Sequence, residues 1–186
     1  MLMVNTTHRW TADDLDWITD DESRYEVVDG ELFVTPSPSR AHQSVAGQLY
    51  VRLFEFVRSH RIGSVFFAPG DVHIDGTNRV QPDIFVEPPS PGAPAEGWRD
   101  APTPMLVVEI LSGTTAERDL GAKRELYLRA GIAEYWIVDH ANMNVRVVRN
   151  GARDVVAHDQ LEWRPAGMAK ALVIDLPALF REALEY

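Results

Sequence analysis

The sequence predicts an α/β fold: a mixed β-sheet with a parallel centre and antiparallel flanks, and helices packed on it. Two nearly continuous apolar runs, MLVVEIL at 105–111 and EYWIVD at 134–139, flank a helical pattern. A strand, helix and strand of these lengths form a right-handed crossover, which joins two parallel strands. Alternating runs around Asp29-Gly30 and Asn150-Gly151 predict antiparallel hairpins on either side of this unit.

The 186 residues predict a single domain, 1–186, with a helix and hairpin at 10–36 in front of a core at 37–186. Thr11 precedes ADDLDWI and predicts a helix N-cap, because the acids that follow favour the positive end of a helix dipole. The hairpin run YEVVDGELFV comes next. Ser39 then predicts the cap of a long amphipathic helix from about residue 40 to residue 60.

The middle of the chain predicts further β-structure and a long loop. SVFFAPGDVHID and RVQPDIFVE are β-like runs on either side of the Asp75-Gly76 turn. Six prolines between 88 and 104 predict a surface loop. The helix between the two buried strands covers about 116–130 and ends at Gly131, and a last helix, PALFREAL, has a proline in its first turn.

The composition excludes several classes of function. Eighteen basic and 28 acidic residues give a net charge of −10, which excludes a simple basic coat on DNA but not an enzyme that meets nucleic acid through a metal ion. The absence of cysteine excludes disulfides, thiolate zinc sites, iron–sulfur clusters and thiol catalysis. No apolar run approaches the ~20 residues of a membrane span. We therefore expect no membrane partner and a cytoplasmic location.

Two carboxylates occupy positions that the apolar pattern assigns to the core. Glu109 lies inside MLVVEIL, and Asp83 follows Pro82 at the start of an apolar strand. An isolated buried carboxylate is costly, so each acid needs a cation, hydrogen bonds or a metal ion. Two such acids on neighbouring strands form a natural site for Mg²⁺ or Mn²⁺. The alternative for each acid is a satisfied core group or an exposed edge residue.

Lys123 is one of only two lysines, and it lies on the helix between the buried strands. Asp119, Lys123 and Tyr127 are each four residues apart and therefore share one helix face. A solvated ion pair between Asp119 and Lys123 is one interpretation of this spacing. A lysine ammonium beside a metal site is the other.

These segments together resemble a known family. PDIFV, VVEILS, the D-x-x-x-K-x-x-x-Y helix and GIAEYWIVD are similar to the Uma-two family of bacterial restriction-endonuclease-like proteins, within the PD-(D/E)XK nuclease superfamily. YEVVDGEL and the start of the helix around His42 also fit, so the resemblance covers residues from about 25 to about 180. It implies a restriction-endonuclease-like fold and a metal-dependent endonuclease that hydrolyses phosphodiester bonds of DNA.

The resemblance also implies the site residues. Asp83 and Glu109 would be the acidic ligands of Mg²⁺ or Mn²⁺, and the backbone carbonyl of Ile110 a third ligand. The superfamily pattern has a lysine two residues after the acid, where this chain has Leu111. In Uma-two proteins that lysine has moved to the next helix, which points to Lys123. Its role would be to orient or deprotonate the attacking water, or to stabilise charge on the phosphate.

Other residues are auxiliary candidates. Proteins of this superfamily use a further acid from an N-terminal element, which here is Glu26 or, as we prefer, Glu31. His42 could point toward the site or simply cap its helix, and the hydroxyl of Tyr127 could reach the site from a packing position. The alternating acids and histidine of GDVHID suggest a second metal site, but a hydrated strand face is the preferred interpretation.

Two further functions remain open. The chain could be an inactive nuclease fold that acts as a dimeric binding or regulatory module, which the missing lysine and the acidic surface favour. A homodimer is also expected from the resemblance. A two-carboxylate glycosidase fits the acids but gives Lys123 no role.

Overall fold

The structure is a computed structural model that describes residues 8–19, 23–35, 37–90, 97–112 and 116–185. The predicted proline-rich loop is therefore described only in part, since residues 91–96 lie outside these ranges. None of the helices in these ranges combines the length and the apolar character that crossing a bilayer requires.

A mixed sheet, which we call the central sheet, is the main element of the described residues. Its order is β10-β9-β8-β7-β6-β3, and only β7 and β8 pair in parallel. The parallel centre and antiparallel flanks that the sequence predicts are confirmed. The strands are β3 (Ser64–Phe67), β6 (Ile84–Glu87), β7 (Leu106–Ile110), β8 (Glu134–Asp139), β9 (Asn144–Val148) and β10 (Val155–Ala157).

An antiparallel side sheet lies against one face of the central sheet. It has the order β2-β1-β5-β4 and contains the predicted Asp29-Gly30 hairpin. A separate pair, β11 with β12, was not expected from the sequence pattern. The strands are β1 (Arg24–Val28), β2 (Glu31–Thr35), β4 (Val72–Asp75), β5 (Asn78–Val80), β11 (Gln160–Trp163) and β12 (Leu172–Asp175).

Each of the two middle β-runs divides between two sheets, which the sequence analysis did not anticipate. SVFFAPGDVHID supplies β3 to the central sheet and β4 to the side sheet, and the division falls at Pro69. RVQPDIFVE supplies β5 and then β6, and the division falls at Pro82. Proline has no N–H to donate to a ladder, so a strand cannot continue through it in the middle of a sheet. The division brings β1 close to the start of β6.

The first long helix and the last helix follow the predicted pattern closely, whereas the N-terminal helix differs in type. Helix α1 (Arg40–His60) has the predicted bounds, and Ser39 accepts the N–H of His42 at 3.2 Å as its cap. Helix α4 (Leu176–Leu184) begins one residue before Pro177. Thr11 caps a short 3₁₀ helix, Ala12–Trp17, instead of an α-helix.

The helix predicted over 116–130 is two helices, α2 (Ala116–Leu120) and α3 (Ala122–Arg129). Gly121 separates them with a non-helical backbone, consistent with the conformational freedom of glycine. The predicted end at Gly131 is confirmed: its φ of +77° is left-handed, and the next N–H, of Ile132, donates to the carbonyl of Tyr127 at 3.1 Å.

Two hydrophobic clusters cover opposite faces of the central sheet. Helices α1 and α4 pack on one face, together with β11 and β12. Helix α3 and the side sheet pack on the other face. Acidic side chains are buried at the edge of this second cluster, where β6 begins and β7 ends.

Candidate active site

The candidate site lies where the start of β6 and the end of β7 meet at one edge of the central sheet. These strands are antiparallel with Ile84 opposite Val108, and the same register places Asp83 opposite Glu109. Both carboxylates therefore leave the sheet on one face, where their residues are 5% and 2% exposed. The N–H of Ile110 donates to Oδ2 of Asp83 at 2.8 Å, which ties the two strand ends together.

Glu109 is held by two donors from α3. The ammonium of Lys123 lies 2.7 Å from Oε1 of Glu109, and the hydroxyl of Tyr127 donates to the same oxygen at 2.8 Å. Lys123 and Tyr127 are one turn apart, so they present their polar atoms to the same side of the helix. The structure brings these three predicted residues into direct contact, and all three are buried.

Glu26 from β1 is the acid that completes this contact. It is fully buried; its Oε1 lies 2.7 Å from the Lys123 ammonium and accepts the N–H of Gln81 at 2.8 Å. A guanidinium nitrogen of Arg118 lies 3.2 Å from its other oxygen. Glu31, the hairpin acid preferred from the sequence, is exposed at the start of β2. The geometry therefore corrects that preference in favour of Glu26.

Asp83 has a different set of partners from Glu109. Nε2 of His42, in the first turn of α1, lies 3.0 Å from Oδ2, and Arg24 of β1 donates to Oδ1 at 3.0 Å. Burial would raise the pKa of Asp83, but the hydrogen bond and charge of His42, with Arg24 and the Ile110 N–H, lower it to about 2. Asp83 is therefore an ionised carboxylate at any physiological pH.

The pKa of Glu109 shifts in the opposite direction. Burial raises it to about 8, because the nearby ammonium of Lys123 offsets only part of the desolvation cost. The negative charges of Asp119, Asp83 and Glu26 add to the rise. Burial would also raise the pKa of Glu26, but the charges of Lys123 and a guanidinium lower it overall. Of Glu26, Asp83 and Glu109, Glu109 is therefore the acid whose protonated form is most favoured.

Lys123 remains charged in this environment. Burial would lower its pKa, but the negative charges of Glu109, Glu26 and Asp119 raise it above the ordinary lysine value. Asp119 contributes from 3.8 Å away, across the break between α2 and α3. A lysine that keeps its proton cannot deprotonate water, so the geometry favours a charge-holding role over the general-base role.

One side of Asp83 borders a cavity of about 240 Å³ between the first turns of α1 and the end of β3. Arg24 and His42 line it with Asp83, and Tyr50 and Phe67 line its other end. Lys123 is not exposed at all. The residues that meet an incoming ligand are therefore those around Asp83.

The donor set fits a hard divalent cation. Asp83, Glu109 and the carbonyl of Ile110 offer oxygen atoms only, which Mg²⁺ and Mn²⁺ prefer. Four buried carboxyl groups face three permanent cations, so the cluster has one carboxyl group more than it has cations (Glu26, Asp83, Glu109 and Asp119; Arg24, Arg118 and Lys123). Among the described residues no three acids or histidines are arranged to hold a metal by side chains alone. The fit is to a site that substrate and water oxygens complete, as is usual for Mg²⁺.

The alternating polar residues of GDVHID have structural partners. Asp71 accepts from Arg79 at 2.9 Å, and Asp75 accepts the N–H of Thr77 at 2.7 Å in the turn between β4 and β5. The predicted hydrated strand face is therefore only partly confirmed, since Asp75 is exposed but Asp71 is buried and lies before β4.

The sequence analysis did not assign Arg24 or Arg118 to the site. Glu26, however, carries the same signal as Glu109, because it is an acid inside a short apolar strand, YEVV. The arginines carry no such signal, since an arginine at a strand start or on a helix is usually solvated. Only the packing of β1 against the start of β6 and against α2 shows that both are paired with buried acids.

Comparisons with known proteins place this arrangement in context. The profile of the family described as "Uma2: Putative restriction endonuclease" matches residues 11–176. Among solved structures, a protein from Anabaena variabilis ATCC 29413, described as "a putative nuclease belonging to DUF820", superposes with a TM-score of 0.79 at 21% identity. The match covers 94% of this chain and 99% of the other, which shows a common fold. No curated protein matches the chain.

Proposed function

We propose that this chain, which belongs to the Uma2 family, is a divalent-metal-dependent endonuclease. Its reaction would be the hydrolysis of phosphodiester bonds of DNA. The observation that carries the proposal is the pairing of Asp83 and Glu109 across β6 and β7, with Lys123 bound to Glu109. In an ordinary core these buried charges would be costly, and replacement by apolar residues would be neutral or favourable. A site that must receive a cation and a phosphate gives them a function.

Asp83, Glu109 and the Ile110 carbonyl would hold the Mg²⁺ or Mn²⁺ ion. When bound, the ion supplies Lewis-acid polarisation of the phosphodiester and activation of water. Lys123 fixes the orientation of Glu109 and keeps one positive charge behind it. We therefore assign Lys123 as a positioning residue, since its ammonium is fully buried between Glu26 and Glu109.

Arg24 and His42 are the groups of this chain that would meet the substrate. Both line the cavity beside Asp83, and both already hydrogen-bond its carboxylate. A guanidinium matches the geometry of phosphate oxygens and would neutralise their charge. Nδ1 of His42 is buried and has no protein partner among the described residues, so Nε2 is the ring nitrogen that the geometry ties to Asp83.

Metal binding can be tested without activity. We expect Mn²⁺ to raise the melting temperature of the wild type, because a ligand of the folded state stabilises it by mass action. Asp83→Asn and Glu109→Gln should lose the rise, whereas the turn carboxylate variant Asp75→Asn should keep it. DNA, supplied both as a plasmid and as a single strand, should be cleaved in at least one form by the wild type with Mn²⁺ and left intact by Asp83→Asn. The absence of both a thermal shift and cleavage in the wild type would refute the proposal.

An inactive binding or regulatory module is the second candidate function, and the complete burial of Lys123 favours it. No lysine stands at position 111 to replace it beside the phosphate. This alternative predicts a stable homodimer by sedimentation and no cleavage of any nucleic acid, even when Mn²⁺ binds.

A further inference from the structure

The cavity beside Asp83 contains features that metal binding does not explain. Helix α1 passes along one side of it, and Gln43, Ala46, Gly47 and Tyr50 face the space at helical spacing. Phe67, at the end of β3, closes the opposite side and is 58% exposed. The cavity thus joins a charged end at Asp83 to an aromatic end.

Gly47 is the residue that keeps this space open. It lies in the middle of a helix, where glycine is less stable than alanine. A Cβ built on Gly47 would meet no atom within 4 Å, so neither packing nor backbone strain requires the glycine. Its one structural consequence is the room that a side chain would fill.

The aromatic end continues along the surface of α1. Tyr50 stacks on Phe54 with ring centroids 5.7 Å apart and meets Phe67 edge-on at 5.0 Å. Phe54 is 37% exposed, and the guanidinium of Arg58 lies 5.7 Å from the centre of its ring. Three contacting rings therefore extend outward from the cavity, with Arg24 as the cation at the inner end and Arg58 at the outer end.

We propose that this cavity binds one unpaired nucleobase and that the substrate class of the site is therefore single-stranded DNA. This inference rests on the proposed nuclease function and narrows it. Aromatic side chains bind bases by stacking on their faces, and a duplex exposes those faces only when a base is flipped out. A net charge of −10 also repels a duplex, whose phosphates are more densely spaced along its axis than those of a single strand.

Binding to a fluorescein-labelled oligothymidylate of about eight nucleotides tests the inference, since single-strand sites span roughly 4–16 nucleotides. The full chain is used in EDTA, so no cleavage occurs. Fluorescence anisotropy should show that the single strand binds at least about tenfold tighter than a duplex of the same length. Two arginines predict a shallow salt dependence, a slope of roughly −0.7 per phosphate contacted.

Gly47→Leu is the decisive variant. Its side chain should fill the cavity and weaken single-strand binding by about tenfold or more, the scale expected for loss of one stacked base. Leucine is the better helix former, so the melting temperature should stay equal or rise, which separates blocking from unfolding. Gly47→Ala should give a smaller loss, and Phe67→Leu a loss of several-fold.

Trp17→Leu is the matched control, because Trp17 is an aromatic residue 85% exposed on a different element. It should not change the affinity. Unchanged affinity in Gly47→Leu, or a duplex bound as tightly as the single strand, overturns the inference. So does a change in oligomeric state in Gly47→Leu without a change in DNA affinity, since a second copy of the chain would then be the occupant.

The binding assay also separates this inference from the proposed function. A protein that binds the single strand through the cavity but cleaves nothing with Mn²⁺ would support the inference and refute the nuclease proposal. A protein that cleaves DNA with Mn²⁺, but whose Gly47→Leu variant binds the single strand as tightly as the wild type, would support the nuclease proposal and refute the inference.

Discussion

The candidate site has two halves that use the same chemistry in opposite ways. The inner half comprises Glu26, Glu109, Lys123 and Tyr127; the outer half comprises Arg24, His42 and Asp83 with the cavity beside them. In the inner half a carboxyl is pushed toward its protonated form, with a pKa of about 8. In the outer half Asp83 is held ionised, with a pKa of about 2.

The difference follows from the balance of charge around each acid. Asp83 receives a guanidinium, an imidazole and a backbone N–H, whereas Glu109 shares one ammonium with Glu26 and has other anions nearby. Burial penalises both, so the number of donors decides which acid keeps its charge. We infer that the inner half holds the strands and helix in place and positions Glu109 for the metal ion, while the outer half meets the substrate.

The largest expected effect comes from removing the cation of the inner half. Lys123→Met leaves Glu26 and Glu109 buried without their shared ammonium, and breaking such a pair costs about 3–5 kcal/mol. Urea unfolding measures the loss. Lys170→Met is the matched control: Lys170, the only other lysine, is exposed, and its replacement should change stability by less than ~0.5 kcal/mol. A loss below ~1 kcal/mol in Lys123→Met would show that the inner half is not a stability element.

The second effect is the contribution of Glu109 to the dependence of stability on pH. Its folded pKa of about 8 exceeds the ordinary glutamate value of 4.5, so between these pH values the carboxyl of Glu109 binds more proton in the folded state than in the unfolded state. The stabilisation is complete below pH 4.5 and is lost as the pH rises through 8, by up to ~1.4 kcal/mol per pH unit. Asp83 contributes no slope here, because it is ionised in both states.

Urea unfolding of the metal-free protein at several pH values between 5 and 8, with EDTA present, measures this slope. Glu109→Gln cannot titrate, so its stability should fall less steeply over the same range than that of the wild type. If stability fell equally steeply with pH in the two proteins, the group that binds the proton would not be Glu109.

A third, smaller effect tests how much one neutral donor contributes to the inner half. Tyr127→Phe removes the hydroxyl that donates to Oε1 of Glu109 and leaves the ring in its packing position. Loss of one buried hydrogen bond to an ionisable group costs about 1.5–3 kcal/mol. Tyr135→Phe is a comparison variant, because its hydroxyl donates at 3.0 Å to a backbone carbonyl instead, and it should cost less. If Tyr135→Phe cost more stability than Tyr127→Phe, the hydroxyl of Tyr127 would not contribute to the charge balance around Glu109.

The halves also differ in how far the sequence predicts them. Glu109, Lys123 and Tyr127 are predictable because each position is set by one regular period: the buried strand for the acid and the four-residue spacing for the helix. Lys123 and Tyr127 share one helix face as predicted, despite the break at Gly121, since both lie in α3. The family resemblance added a chemical role that the spacing alone left open.

The partners from β1 were harder to predict because they depend on long-range packing. Arg24 meets Asp83 and Glu26 meets Lys123 only because the middle runs divide at Pro69 and Pro82 and build a second sheet. The sequence marks those prolines as strand boundaries but does not say which sheet each piece joins. The same lack of information led to Glu31 instead of Glu26.

The smallest effect concerns the outer half and has the opposite sign. Gly47→Ala should stabilise the protein by about 0.5–1 kcal/mol, because alanine is the better residue in the middle of a helix and its methyl group meets no neighbour. Urea unfolding measures the gain. The cavity therefore exists at a cost in stability, whereas every change in the inner half is expected to destabilise. If Gly47→Ala were destabilising, the stability of α1 would depend on the open space at this position. The division of the site into an inner half that stabilises the fold and an outer half that meets the substrate would then fail.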